Sequence, residues 1–417
     1  MLSPPRQAGG EELAIFVFID AFGWQIFQRH QEDFLQGILQ TARPLDTVLG
    51  YSCACDPTIL TGHLPQEHGH FSFFQYAPQR SPFRGLRPLG WLPRWLTSRG
   101  RVRRIISRQV ARQLGYTGYF QLYNMPFQRL PLMDYSEKRD LYQPGGILSG
   151  AATIFDQLRS RRVPFHVSDW RHDEPRNFQS LREAIRDEQI SWAYLYLAEL
   201  DGILHRDGTR AKTVTDHIRG YDRQLRDLLK LAGEHYRVVR MYLFSDHGMA
   251  DVTGCYDLMA DLQRWERATG MRFGKDYAAV FDSTMARFWL LSDRAEPAIR
   301  ELLAGCPAGR TLSDAELDAY GCLFPQREYG DLFFLLDAGM LLCPSDMGST
   351  PLKGMHGYCP SHEDSTAMVA ATVPCLPPTR LDGLYSLMLR EAARGRDDLT
   401  AATAGTAATA GAAGSLA

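Results

Sequence analysis

Three apolar runs in this 417-residue chain, residues 14–20, 193–201 and 238–246, each end on an aspartate: Asp20, Asp201 and Asp246. Runs of that length without polar alternation fit strands buried on both faces, the condition of a mostly parallel sheet covered by helices. Open sheets of this kind bind ligands just beyond the carboxyl ends of their strands, so three acids at three strand ends can converge on one crevice. Amphipathic stretches at 151–161 and 213–231 supply covering helices. The alternation of strand and helix predicts an α/β chain.

With 45% hydrophobic residues the chain can bury a large core. The expected division is a flexible N-terminus (1–12), an α/β core (13–254) holding a basic, aromatic insertion at about 76–133, an inserted cap (255–351), a second part of the core (352–395) and a disordered Ala/Thr/Gly tail (396–417). A net charge of −2 and a pI of 6.6 provide no global field to draw in a polyanion, so no specific nucleic-acid partner is expected. No stretch reaches the roughly 18 uninterrupted apolar residues of a membrane span, and residues 1–12 lack the apolar segment of a secretory signal. A cytoplasmic location is the expectation, with the eight cysteines as reduced thiols. Cys53-x-Cys55 is too short a pattern to make a metal site by itself.

Residues 76–133 contain no acid, while ten arginines from Arg80 to Arg112 are interleaved with Phe83, Trp91, Trp95, Tyr116, Tyr119 and Phe120. Such a patch can lie over an acidic part of its own protein, bind an anionic ligand, make peripheral contact with a membrane or lipid, or, least favoured, bind nucleic acid.

The chemistry sits in five segments. Asp201 and His205 are four apart, so one helical turn puts both on one face, and Asp246-His247 follow directly on an apolar run. The others are 14–20 itself, the hydroxyl-rich 52–62 and His356 within Gly354-Met-His-Gly-Tyr358. Taken singly, an acid after a strand can be a helix cap, and an i,i+4 Asp–His pair can be a surface pair. Ser245-Asp-His-Gly-Met249 is more specific, because a polar, glycine-containing break straight after a strand is costly inside a core. Carboxylate oxygen mixed with imidazole nitrogen suits Zn²⁺, with Mn²⁺ or Fe as other occupants, whereas Ca²⁺ would not favour so many histidines.

In this order the five segments resemble the metal-site motifs of the alkaline phosphatase superfamily, most closely its nucleotide pyrophosphatase/phosphodiesterase branch. The resemblance runs from Asp20 to about Ala371, with both insertions unmatched. It implies an alkaline-phosphatase-like three-layer α/β/α sandwich with a small inserted cap. It also implies a phosphoric ester hydrolase with two divalent metals, a small anionic phosphoester substrate such as a nucleotide derivative, and a phosphoseryl intermediate. Carried onto this chain, one metal site is Asp20, Ser52, Asp246 and His247, and the other is Asp201, His205 and His356. The family's Thr-Gly, present as Thr61-Gly62, lies about nine positions after its nucleophile; that register selects Ser52 and leaves Thr58 to help start a helix. Sulfatases carry a modified Cys in Cys-x-Pro-x-Arg at this place, and here Ser52, Ala54 and Asp56 occupy its positions.

Departures from the pattern bear on the substrate. Leu200 replaces a Pro, Cys359 an Asp, and Phe73, beside Ser72, stands where the branch has an Asn that contacts the phosphoryl group. Ser72, Phe73 and His362 are therefore the candidate substrate contacts. A phosphomonoesterase, a phosphonate hydrolase and a non-catalytic binding protein on the same fold are the alternatives.

Overall fold

The computed structural model describes residues 10–91 and 99–394. Its main sheet has six strands in the order Thr41–Leu45, Ala367–Ala371, Tyr236–Phe244, Gly10–Ile19, Trp192–Leu197 and Phe165–Val167. The last four run parallel, and Ala367–Ala371 is antiparallel to both neighbours. Ile19 pairs with Leu197 and Phe18 with Phe244, so the chain leaves all three central strands at one level. That register brings Asp20, Asp201 and Asp246 to one edge.

Alternation along Gly10–Ile19 separates the two faces. Leu13, Ile15, Val17 and Ile19 pack with Phe178 and Leu181 of helix Glu174–Arg186 and with Ile218 and Leu225 of helix Lys212–His235. Phe16 and Phe18 point the other way, onto helices Ser52–Thr61 and Ile154–Ser160. The result is the expected α/β/α sandwich. One local reading changes: the strand ends at Leu197, and Asp201 belongs to the first turn of helix Glu199–Asp207 rather than to a strand end.

The central strand starts at Gly10, three residues ahead of the core boundary expected at 13. Residues 1–9 and the tail expected at 396–417 lie outside the described residues, as do 92–98 of the basic insertion. The insertion is pinched at its base by strands Phe74–Tyr76 and Met133–Tyr135. Its helix Gly100–Leu114 turns Arg103, Ser107 and Val110 inward; Arg103 donates to the Met125 carbonyl at 2.6 Å and lies 4.1 Å over the Phe127 ring. Arg101, Arg104, Arg108 and Arg112 are exposed on this helix, and among the described residues no ion pair to an acid joins them.

Residues 255–351 build a second, antiparallel sheet in the order Tyr277–Phe281, Met285–Leu290, Leu332–Leu336 and Gly309–Thr311. Helices Leu258–Thr269 and Ala295–Ala304 cover one face. The opposite face sends Met285, Phe333 and Leu335 into the same apolar cluster as Phe71 and Leu49 of the main lobe. The two lobes thus share a core.

Candidate active site

Backbone constraints at the strand ends hold the site together. Ala21, directly after Asp20, has a left-handed φ of 59°, and its N–H donates to Asp246 Oδ1 at 3.2 Å; the His247 N–H donates to the same oxygen at 2.9 Å. The two loops then meet backbone to backbone. A Cβ at Gly23 would lie 2.3 Å from Gly248 Cα, and one at Gly248 would lie 2.2 Å from the Asp364 carbonyl, which explains the glycine of Ser-Asp-His-Gly.

Two groups of ligand-type atoms result. Asp20, Asp246 and His247 offer atoms all within 4.8 Å of one another, as do Asp201, His205 and His356. His247 Nε2 is 2.9 Å from Asp246 Oδ2 and 3.8 Å from Asp20 Oδ1; Asp201 Oδ1 is 3.2 Å from His205 Nε2 and 3.7 Å from His356 Nε2. The groups adjoin, since the His247 and His356 rings stack at 3.7 Å. Ser52 Oγ completes the first, 3.1 Å from His247 Nε2. Every metal ligand implied by the resemblance is therefore brought to one place.

Tautomers are set from behind. His205 Nδ1 donates to the Gly354 carbonyl at 2.8 Å and His247 Nδ1 to the Gly248 carbonyl at 2.9 Å, which leaves each Nε2 lone pair facing its cluster. His356 is placed by Gly357, whose φ of +87° and contact with Tyr51, 2.5 Å from a would-be Cβ, admit no side chain. Thr284 of the cap ties these segments together, with its hydroxyl 2.9 Å from Tyr51 Oη and donating to the Gly357 carbonyl at 2.8 Å.

The clusters fit divalent cations. Asp20 Oδ1, Asp201 Oδ1 and Asp246 Oδ2 are buried and accept no hydrogen bond, an arrangement that costs several kcal/mol per group unless a cation fills it. Burial, then the charges of Asp246 and Asp201, pushes the Asp20 carboxyl well above its usual range. Burial pulls down on His247 and His205, but Asp246 and Asp201 respectively outweigh it and both shift upward. His356 is driven well below its ordinary value by burial, then by its neighbours His247 and His205.

Ser52 is the first residue of helix Ser52–Thr61, so its N–H and that of Cys53 have no helical acceptor and remain available to an anion. Thr58 does not start that helix, contrary to expectation. It lies in the interior, donates to the Ala54 carbonyl at 3.0 Å and sits 3.0 Å from His68 Nε2. Cys53 and Cys55 are buried, and burial raises both thiols well above their ordinary range, which leaves them as packing residues.

A cavity of about 480 Å³ opens over Asp20, Ser52, Asp201, His205 and His356. Of the candidate substrate contacts, Phe73 lines it, stacked on Tyr135 at 5.6 Å and Tyr123 at 5.5 Å. Ser72 also lines it, but its hydroxyl is engaged by Asp282 at 3.0 Å and Arg287 at 2.8 Å. His362 lies outside; its Nδ1 accepts from the Asp364 N–H at the start of a short 3₁₀ turn. The sequence reading missed Asp56 and Glu137, both in the cavity wall. It also missed Glu174, which accepts from the Glu199 N–H at 2.8 Å and Tyr221 Oη at 2.6 Å and so anchors the helix bearing Asp201 and His205. The one available signal for Asp56 was its place a helical turn after Ser52.

A family model described as type I phosphodiesterase / nucleotide pyrophosphatase matches residues 14–358. No curated protein matches in sequence. Among solved structures, murine ectonucleotide pyrophosphatase / phosphodiesterase 5, as an inactive form in complex with AMP, superimposes with a TM-score of 0.63 at 14% identity, over 92% of this chain and 95% of that one. The human protein of the same name gives 0.64 at 13% identity, over 91% and 95%. At these identities the likeness is one of fold.

Proposed function

The chain belongs to the type I phosphodiesterase / nucleotide pyrophosphatase family, and from that membership we propose that it hydrolyses a phosphodiester through a covalent phosphoseryl intermediate on Ser52. It is a phosphodiester hydrolase of a metal-dependent family. The observation that carries the role of Ser52 is its position: Oγ lies 3.1 Å from His247 Nε2, at a helix start, in a cavity that also exposes Asp20 and Asp201. Asp20, Ser52, Asp246 and His247 would hold one divalent ion and Asp201, His205 and His356 the other. Zinc suits that mixture of oxygen and nitrogen, and Mn²⁺ or Fe could take the same donors. Bound there, the ions supply the positive charge that lowers the Ser52 hydroxyl pKa and offsets the phosphoryl oxygens.

Ser52 Oγ then attacks phosphorus, forming an O–P bond as the ester bond to the leaving alcohol breaks. Water attacks the phosphoserine in turn, releasing the phosphate monoester and returning the proton to Ser52. The Ser52 and Cys53 N–H groups donate to the phosphoryl oxygens. A nucleotide-type ester is the substrate class the family suggests, and the Phe73 and Tyr123 rings offer a stacking surface.

Two further readings follow from the surface. Trp91 (87% exposed), Ile105 and the exposed Arg101, Arg104 and Arg108 support peripheral contact with an anionic lipid surface. Eight unpaired cysteines support a reducing compartment, the cytoplasm.

The test compares wild type with Ser52→Ala on bis-p-nitrophenyl phosphate and p-nitrophenyl phosphate after loading with Zn²⁺ or Mn²⁺. The diester is expected to be preferred, and the substitution to remove turnover by about three orders of magnitude or more. Turnover that survives in Ser52→Ala refutes the nucleophile, and a strong monoester preference refutes the diesterase assignment.

A further inference from the structure

Cys255 and Cys343, remote in sequence, are brought side by side where the cap leaves and rejoins the core. Strand Gly254–Tyr256 pairs in parallel with strand Met340–Leu342, in a register that sets Cys255 opposite Leu341. The ladder runs one residue further, because the Cys343 N–H donates to the Tyr256 carbonyl at 3.2 Å. Side chains alternate between faces along a strand, so Cys343, two positions beyond Leu341, stays on the face that Cys255 occupies. The thiols interact there: burial, then the charge of Cys255 and a hydrogen bond with it, raise Cys343 above its ordinary range.

The other six cysteines have different settings. Cys53, Cys55, Cys306 and Cys322 are buried. Cys359 is half-buried, and its sulfur meets the Ser361 hydroxyl at 3.1 Å and the Tyr320 hydroxyl at 3.3 Å rather than a second thiol. Cys375, also half-buried, is engaged by the Thr41 side chain. Cys255 is exposed and open to a reagent from solvent, whereas Cys343 is half-buried and lines the cavity over Ser52. An exposed thiol that an oxidant can reach, beside a sheltered thiol that can resolve the product, is the arrangement a redox-responsive pair requires.

We propose that Cys255 and Cys343 form a reversible disulfide when hydrogen peroxide reaches the cap. The Cys255 thiolate attacks one peroxide oxygen; an S–O bond forms, the O–O bond breaks, and the other oxygen leaves as water after taking up the proton that Cys255 lost. Cys343 then attacks the sulfur of the Cys255 sulfenic acid. The S–S bond forms as the S–O bond breaks, and the hydroxide departs as water with the Cys343 proton. Two thiols lose two electrons in all, and one peroxide is reduced to two waters. The bond closes a loop over almost the whole cap, and Cys343 heads the segment that carries Ser345, Met347, Gly348 and Leu352 of the cavity wall. A reducing compartment keeps the pair open between oxidation events.

The experiment treats the reduced full chain with hydrogen peroxide, alkylates the remaining thiols in denaturant, and maps the peptides by mass spectrometry. Loss of two of the eight thiols is expected, in a crosslink that joins the Cys255 and Cys343 peptides and that dithiothreitol reverses. Cys255→Ser and Cys343→Ser should each abolish that crosslink, whereas Cys359→Ser should keep it. In Cys343→Ser the Cys255 sulfur should instead be trapped as a sulfenic acid by dimedone, which reads the first step without the second. A crosslink between any other two cysteines, oxidation of wild-type Cys255 to the sulfinic acid without a crosslink, or survival of all eight thiols under peroxide that oxidises glutathione to completion overturns the pair.

Discussion

Arg287 is the largest single test of how the two lobes are joined. It is fully buried, and its guanidinium spans the lobes: Nε donates to Asp282 at 2.7 Å, Nη1 to the Tyr329 carbonyl at 3.0 Å, and Nη2 to Ser72 Oγ at 2.8 Å and the Phe74 carbonyl at 3.1 Å. Arg287→Met keeps much of the apolar stem but strands Asp282, itself 2% exposed, without a counter-charge, and strands two buried carbonyls. Breaking a buried pair from one side costs about 3–5 kcal/mol, and unsatisfied carbonyls add roughly 1 kcal/mol or more. We expect a loss of about 4 kcal/mol in unfolding free energy, read from urea unfolding followed by tryptophan fluorescence. Removing both charges in Arg287→Met/Asp282→Leu should cost less than the two single changes together by about 2 kcal/mol or more, because neither partner is then left alone. A loss under about 1 kcal/mol in Arg287→Met would show that Arg287 does not tie the lobes together, and additivity in the cycle would show that Arg287 and Asp282, both in the cap, are not energetically coupled.

Asp20→Asn removes one of several mutually repelling buried acids, so the metal-free variant should melt higher than metal-free wild type by on the order of 1 kcal/mol, while the rise in Tm on adding Zn²⁺ disappears; an unchanged zinc response contradicts the metal role. Glu137, with a carboxyl raised from 4.5 to about 8 in the folded state, carries its proton more tightly folded than unfolded. Its burial therefore costs nothing below about pH 4.5 and progressively more up to about pH 8, with a ceiling of roughly 5 kcal/mol. Glu137→Gln should accordingly gain on metal-free wild type across that interval in thermal melts, and parallel Tm–pH curves would refute the assignment. Gly248→Ala would force a Cβ to within 2.2 Å of the Asp364 carbonyl, so a loss of roughly 2 kcal/mol or more is expected, with weakened metal binding through the displaced Asp246-His247; an unaltered Tm would count against the close packing of the two loops.

Much of the sandwich was legible in the chain because its signals are local, whereas the seven candidate ligands, Ser52 and His356 among them, were assembled by the family resemblance. Apolar runs mark buried strands whatever surrounds them, and i,i+4 spacing places Asp201 and His205 together once a helix forms. The misreadings were local ambiguities. The run at 193–201 continues through Leu200, which is buried on a helix face rather than in the sheet, and apolarity alone does not distinguish the two. Thr58 looked like a capping hydroxyl, but the helix begins at Ser52, and the Thr58 hydroxyl satisfies a carbonyl one turn back.

What the sequence by itself determined is the layered architecture and the edge at which the acids gather, while the choice of Ser52 came from the register of the family resemblance. The tertiary structure decided the character of the cavity. Phe73, Tyr119, Glu137 and Asp282 come from segments up to some 210 positions apart, and in the insertion Arg101, Arg104, Arg108 and Arg112 are exposed while Tyr119 and Tyr123 line the cavity. No periodicity records which face of an insertion meets a distant cap, because that choice depends on contacts between segments remote in sequence, such as Ser72 with Asp282 and Arg287. Within the cap Arg287 neutralises Asp282, and the same guanidinium reaches the Ser72 hydroxyl at 2.8 Å and the Phe74 carbonyl at 3.1 Å in the main lobe.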